Sequence, residues 1–165
     1  MKKIQNKKKI YKSLLIPIFI GGFCGFLLSK IFMISIVDGH SMDNTLHHKG
    51  ILFVNKLYTK IDSPKPGDIV ILKTDKTDKR NLLVKRLIGI PGDFIEINDN
   101  KVYRNGKLLS EPYIKETMIN NKNLNLKIPK DKIFFMGDNR NSSYDSREEG
   151  LYPVDSIVGK VFYFH

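Results

Sequence analysis

The sequence predicts a mostly β protein, an antiparallel β-sandwich or partly open barrel, behind one amino-terminal transmembrane helix. Three observations predict it. Short runs rich in Val, Ile and Phe recur between residues 51 and 164, separated by Pro, Gly, Asn and Asp turn signals. No long segment with a 3.6-residue apolar period occurs beyond the first three dozen residues. Ser13 to Ser29 is a stretch of seventeen residues without a charge, about the length that crosses a bilayer as a helix.

The amino-terminal part divides into a basic tail, residues 1–12, and an apolar anchor, residues 13–36. The formal net charge is +11, but six of the positive charges (Lys2, Lys3, Lys7, Lys8, Lys9 and Lys12) lie in the tail, leaving +5 for the remainder. Basic character concentrated before an apolar run orients a span in a membrane; it is not a nucleic-acid footprint. Lys30 sits near the end of the run, where its ammonium can reach the interface. A cleaved secretory signal would need a shorter apolar core followed by a small-residue site. Here the run ends in Ile36-Val37-Asp38-Gly39-His40, with no Ala-x-Ala. The lysines place the amino terminus in the cytoplasm and residues 37–165 on the outer face. Cys24, the single cysteine, lies inside the span, so no intramolecular disulfide can brace the outer domain.

Within that domain, Ile51-Leu52-Phe53-Val54-Asn55-Lys56 is a first strand, and the turn residues Pro64-Lys65-Pro66-Gly67-Asp68 lead to a second, Ile69–Leu72. Thr74–Arg80 is a polar, mixed-charge connection. Leu82–Ile90 is the most hydrophobic run, closed by Pro91-Gly92-Asp93. Alternation then predicts hairpins: Phe94–Asn98, a turn at Asp99-Asn100, Lys101–Arg104, and a turn at Asn105-Gly106. Glu111–Asn125 is polar, rich in asparagine and expected to be irregular. Ile133–Met136 and Ile157–Phe164 complete the strands.

Three stretches can carry chemistry. Ser41 stands two residues after Gly39 at the boundary between anchor and domain; its hydroxyl is either a turn or cap group or a presented nucleophile. Lys85 shares a strand face with Leu83 and Leu87, while Arg86 points the other way. A lysine among apolar neighbours is either an edge residue reaching water or a desolvated amine able to act as a neutral base. Serine needs such a base before it attacks, and Ser-Lys is one pairing that supplies it. The third stretch, Gly137–Arg147, is polar yet follows the aromatic run Phe134-Phe135-Met136. It is either a surface loop with an exposed Asp145–Arg147 pair or a shell that holds a catalytic lysine.

Together these stretches resemble a known family. Gly39-x-Ser41-Met42-x-x-Thr45-Leu46, Lys85-Arg86-Leu87-Ile88-Gly89-Ile90-Pro91-Gly92-Asp93 and Gly137-Asp138-Asn139-Arg140-Asn141-Ser142-Ser143-x-Asp145-Ser146-Arg147 resemble the three signature boxes of bacterial type I signal peptidases, in the family's order. The resemblance implies a membrane-bound serine endopeptidase that cuts signal peptides from exported preproteins after small residues. It implies Ser41 as nucleophile, Lys85 as general base, Ser143 orienting Lys85, and Asp145 paired with Arg147 to brace the loop. The Ser41 backbone N–H would stabilise the oxyanion, and Val37, Met42 and Val84 would line shallow substrate pockets. No metal or cofactor is implied; the expected partners are signal peptides and membrane lipid. Two positions depart from the family pattern: Asn44 stands where proline is usual, and Gly39 where some members place a serine hydroxyl in the oxyanion hole. The short region before the third box implies the compact form of the enzyme.

Other readings fit less well. His40, His47 and His48 have no metal-ligand spacing. Soluble repressor autoproteases share a Ser-Lys dyad but carry a DNA-binding domain and no span. A non-catalytic membrane-anchored basic domain, binding lipid or exported proteins, would have no need of both Ser41 and Lys85.

Overall fold

The computed structural model of the chain describes residues 2–74, 82–119 and 122–164, with the main chain alone for residues 2–12, 163 and 164. The lysine side chains of the basic tail, residues 75–80 of the expected polar connection and residues 120–121 of the asparagine-rich stretch lie outside the described residues.

Helix α1 (Lys2–Ile31) contains the uncharged run, and Ser13–Ile31 is long and apolar enough to cross a membrane. The apolar sequence does not stay helical to residue 36. Phe32–Ile36 forms strand β1, exposed and half-buried by turns, paired in register with β2 (Ile51–Asn55) from Phe32 opposite Asn55 to Ile36 opposite Ile51. Two β-branched residues, Ile34 and Ile36, and the aromatic Phe32 among these five favour the strand, and β2 satisfies its backbone. The boundary expected at residue 36 therefore falls at Ile31, where the Lys56 N–H caps the last turn through the Ile31 carbonyl at 2.8 Å.

The main sheet is antiparallel, in the order β1-β2-β11-β3-β4-β9-β10. Its further strands are β3 (Ile69–Lys73), β4 (Leu82–Gly89), β9 (Lys132–Met136), β10 (Tyr152–Pro153) and β11 (Ile157–Phe164). Helix α2 (Tyr58–Ile61) follows β2, and α3 (Ser146–Glu149) precedes β10. Four consecutive residues of β3, Ile69–Leu72, are buried, as expected of a central strand covered on both faces. On one face Ile69, Ile71, Leu52, Val54 and Val161 pack with Val37, Met42 and Leu46; on the other Val70, Leu72, Leu87 and Phe135 pack with Tyr58. The sheet curls into a half-barrel.

A second antiparallel sheet has the order β7-β6-β5-β8, built from β5 (Phe94–Asn98), β6 (Lys101–Arg104), β7 (Lys107–Leu108) and β8 (Leu124–Lys127). It closes over Ile88, Phe134 and Met136 with Ile95, Ile97, Val102 and Ile128. Its hairpins turn where the sequence indicated: Asp99-Asn100 and Asn105-Gly106 all have positive φ, which two-residue hairpin loops of the primed type require. β8 begins at the last two residues of the stretch expected to be irregular and runs two residues beyond it. Its Leu124 and Leu126 are spaced by two among polar residues, and β5 supplies the hydrogen-bonding edge that makes a strand of them.

Between β1 and β2 the chain makes the turn that carries Ser41. Met42 and Leu46, 1% and 2% exposed, pin it to the core. Asn44 takes φ +83°, a conformation asparagine tolerates and proline, locked near −65°, cannot adopt. A proline here would therefore need a different backbone course from the one Asn44 takes. Asn44→Pro is expected to destabilise the protein by about 1–3 kcal/mol and lower activity, whereas Asn44→Gly leaves both close to the parent. Thermal unfolding and processing rates of the two variants check this; a neutral proline would show that the turn can rearrange without cost.

Candidate active site

The turn holding Ser41 is gripped from the strand–loop junction that follows β9. Asn139 N donates to the Ser41 carbonyl at 3.0 Å, and Asn139 Nδ2 donates to the His40 carbonyl at 3.0 Å. Gly137 lies under the same carbonyl. A Cβ at this position would collide with Ser41 O and with Ser143 Oγ, so only glycine permits the close approach. Asp138 carries the grip further: it accepts two bonds from Arg86, Nε to Oδ1 at 2.8 Å and Nη2 to Oδ2 at 2.6 Å, and one from the Thr45 hydroxyl. Arg86 also donates to Gly67 O at 2.8 Å and lies 3.9 Å from the centre of the Tyr113 ring. The sequence assigned Arg86 to the face opposite Lys85 but attached no partner to it. Asp138 and Asn139, 0% and 4% exposed, were visible only as members of a polar stretch. Polar residues directly after a buried aromatic strand were the available signal.

Lys85 occupies β4 opposite Val70, on the face with Leu83 and Leu87, and is only 3% exposed. Its Nζ lies 2.6 Å from Ser41 Oγ. Burial pushes the Lys85 ammonium down from the ordinary lysine value to about 8, although the charges of Asp145 and Glu149 partly offset that effect. Of the two readings open for this lysine, the desolvated amine is the one found. The Ser41 N–H donates to no described residue, so it is available to a ligand. Gly39, at φ +114°, sets the approach to the turn.

Asp145 is 0% exposed and forms a paired arrangement with Arg147, Nε to Oδ1 at 2.8 Å and Nη2 to Oδ2 at 2.9 Å. The same carboxylate accepts from Gly137 N at 2.9 Å and from Arg147 N at 3.3 Å, capping α3. Burial opposes the Arg147 charge, but the hydrogen bond and the charge of Asp145 outweigh it and hold its pKa above the ordinary value. This is a buried brace between α3 and the Gly137 backbone, not an exposed surface pair. Ser143 is placed differently from the expectation. Its Oγ is buried against Gly137 and has no hydrogen-bond partner among the described residues, so the expected bond to Lys85 is not made here.

Ser41 and Lys85 open on a cleft of about 840 Å³ whose lining mixes apolar side chains, among them Ile36, Leu52, Ile71 and Val84, with polar ones that include Asp38, Thr74 and Glu149. Val84 belongs to its wall. Val37 and Met42 do not line it; they pack in the same buried cluster as Leu52 and Ile71, which do reach the lining, together with Ile36. Chemically the arrangement offers a hydroxyl, an amine whose burial brings its pKa down to about 8, an unused N–H and a partly apolar cleft: the parts of a serine acyl-transfer site. Among the described residues no group of three or more His, Cys, Asp and Glu side chains is arranged to hold a metal.

Known proteins match this chain in both sequence and structure. The family model described as signal peptidase, peptidase S26, matches residues 9–165. Signal peptidase I P of Bacillus subtilis subsp. natto is 45% identical over 134 residues, spanning 75% of this chain and 71% of that protein. Signal peptidase I of Bacillus amyloliquefaciens is 38% identical, spanning 96% of this chain and 86% of that protein. The crystal structure of a signal peptidase I from Enterococcus faecalis V583 superposes with a TM-score of 0.51 at 31% identity, covering 61% of this chain and 97% of that one.

Proposed function

The chain belongs to the signal peptidase family, peptidase S26, and from that premise we propose that it cuts signal peptides from exported preproteins with Ser41 as nucleophile and Lys85 as general base. The observation that carries the mechanism is the 2.6 Å contact between Ser41 Oγ and Lys85 Nζ. Neutral Lys85 takes the hydroxyl proton as Ser41 Oγ attacks the scissile carbonyl. The tetrahedral oxyanion accepts from the Ser41 N–H, a single main-chain donor because Gly39 brings no hydroxyl. The Lys85 ammonium then returns its proton to the leaving amine, and water, deprotonated by Lys85, releases the acyl-enzyme. Asp145, Arg147 and Ser143 support the loop over which Ser41 is held. The apolar part of the cleft would take small side chains before the cut, with Val84 in its wall and Val37 and Met42 packed behind it.

Residues 13–31 would anchor the enzyme in the membrane, with residues 1–12 in the cytoplasm and the β domain outside, an orientation that follows the positive-inside rule. Phe32, Ile34 and Ile36 are exposed on β1 directly after the helix, which supports an active site held close to the lipid surface. Enzyme and precursor confined to one surface meet at a raised effective concentration.

The full chain, assayed with a secreted precursor in detergent or liposomes, tests the reading. Ser41→Ala is expected to process no precursor; normal processing by that variant sinks the proposal. The parent's rate should fall about tenfold for each pH unit below about 8, because the base must be neutral to act. A flat rate from mildly acidic to basic pH would exclude Lys85 as the base.

A further inference from the structure

We propose that Asn139 is a positioning residue for the oxyanion: its side-chain amide, by holding the His40 carbonyl, aims the Ser41 N–H. The inference rests on the Ser41 reading above and adds a part to it. The His40 carbonyl and the Ser41 N–H are the two ends of one peptide unit. In a trans peptide they point in opposite directions and lie in one plane, so a donor fixing the carbonyl also fixes where the N–H points. Asn139 Nδ2 is that donor, at 3.0 Å. Asp43 N also donates to the same oxygen, at 3.1 Å, from within the turn. Asn139 N secures the next carbonyl, that of Ser41 itself, at 3.0 Å. One residue of a separate segment therefore holds the carbonyls of both His40 and Ser41.

Asn139 can do this because its own position is fixed. It is 4% exposed, follows Asp138, which is clamped by Arg86, and receives Ser142 N on its carbonyl at 3.0 Å. Bonding at the carbonyl also polarises the peptide and strengthens its N–H as a donor. With Gly39 in place of a hydroxyl, the main-chain donor has no side-chain helper, and its aim weighs more heavily on the rate. Asn139 touches neither hydroxyl nor amine of the dyad through any described bond, so its effect on rate passes through the peptide.

The experiment uses the full chain and the same precursor, comparing the parent, Asn139→Ala, Asn139→Asp and Ser41→Ala, with rates expressed per folded molecule. Asn139→Asp keeps the shape but replaces the donor with an acceptor facing the carbonyl. Removal of a whole oxyanion donor costs about 100- to 1000-fold in kcat. Misaiming one that Asp43 still partly holds is expected to cost about 10- to 100-fold, with KM within about threefold of the parent and Asn139→Asp at least as slow as Asn139→Ala. The acid limb of the pH profile should stay where it is, because Lys85 is untouched. Parent-like kcat in either variant, a loss confined to KM, or a moved acid limb overturns the proposal. Two variants that both fail to fold also overturn it, by assigning Asn139 to stability alone. Activity in Ser41→Ala would instead remove the Ser41 reading itself, so the two failures are distinguishable.

Discussion

Lys85→Met is expected to lose cleavage by about a thousandfold or more while the folded domain becomes more stable. The activity loss follows from the mechanism: a general base contributes roughly 100- to 10,000-fold, and here no second base stands within hydrogen-bond distance of Ser41 Oγ among the described residues. The stability gain follows from burial. Lys85 is 3% exposed and titrates at about 8, depressed from 10.5. The unfolded chain therefore binds the proton more tightly than the folded one between pH 8 and 10.5. Stability rises with pH across that window, and below about pH 8 the folded state carries a penalty of about 3 kcal/mol for holding this amine. Methionine keeps an unbranched stem in the same channel and removes the penalty. The gap in thermal stability between variant and parent should be largest below pH 8 and close by about pH 10.5. A Lys85→Met protein that cleaves at the parent rate, or is several kcal/mol less stable at pH 7, contradicts this account.

Asp145→Ala is expected to have the largest effect on stability, a loss of about 3–5 kcal/mol, with activity lost as well. The carboxylate is fully buried and accepts from Arg147 Nε and Nη2, Arg147 N and Gly137 N. Its removal takes the carboxylate from the Arg147 guanidinium, whose side chain is 8% exposed and which would keep neutral partners such as the Arg140 carbonyl but no Asp145 charge, and frees the backbone beside the Ser41 grip. Arg147→Met alone strands Asp145 in turn. Replacing both removes the charge as well as its partner, so the double variant should lose less than the sum of the two single losses. Denaturant unfolding of the four proteins measures the difference. Additive losses would mean that the pair is not coupled and that the brace is mere packing.

Much of this protein can be read directly from the order of its residues. Strands such as β5, β6 and β11 are found at the residues their alternation and turn signals mark, because side-chain period and turn chemistry are local properties. The apolar run after the basic tail is equally legible, and the three boxes point to the family. Its end is not: Phe32–Ile36 is as apolar as the helix before it, and only the pairing with β2 makes it a strand. β8 and α3 were likewise hidden in polar stretches, since partner edges and caps decide them.

For the site, the sequence by itself determined the cast: a serine two residues after a glycine, a lysine among apolar neighbours, and a polar stretch behind an aromatic strand. Only the tertiary structure decided their roles. It brought residues 44 positions apart to 2.6 Å, turned an ordinary lysine into one titrating near 8, buried Asp145 with Arg147, and left Ser143 Oγ without a partner. It also gave Asp138 and Asn139 the task of holding the nucleophile's turn. The physical reason is that residue type fixes what a group can donate, accept or titrate, whereas desolvation and hydrogen-bond geometry depend on neighbours that are distant along the chain and adjacent only after the sheet has curled.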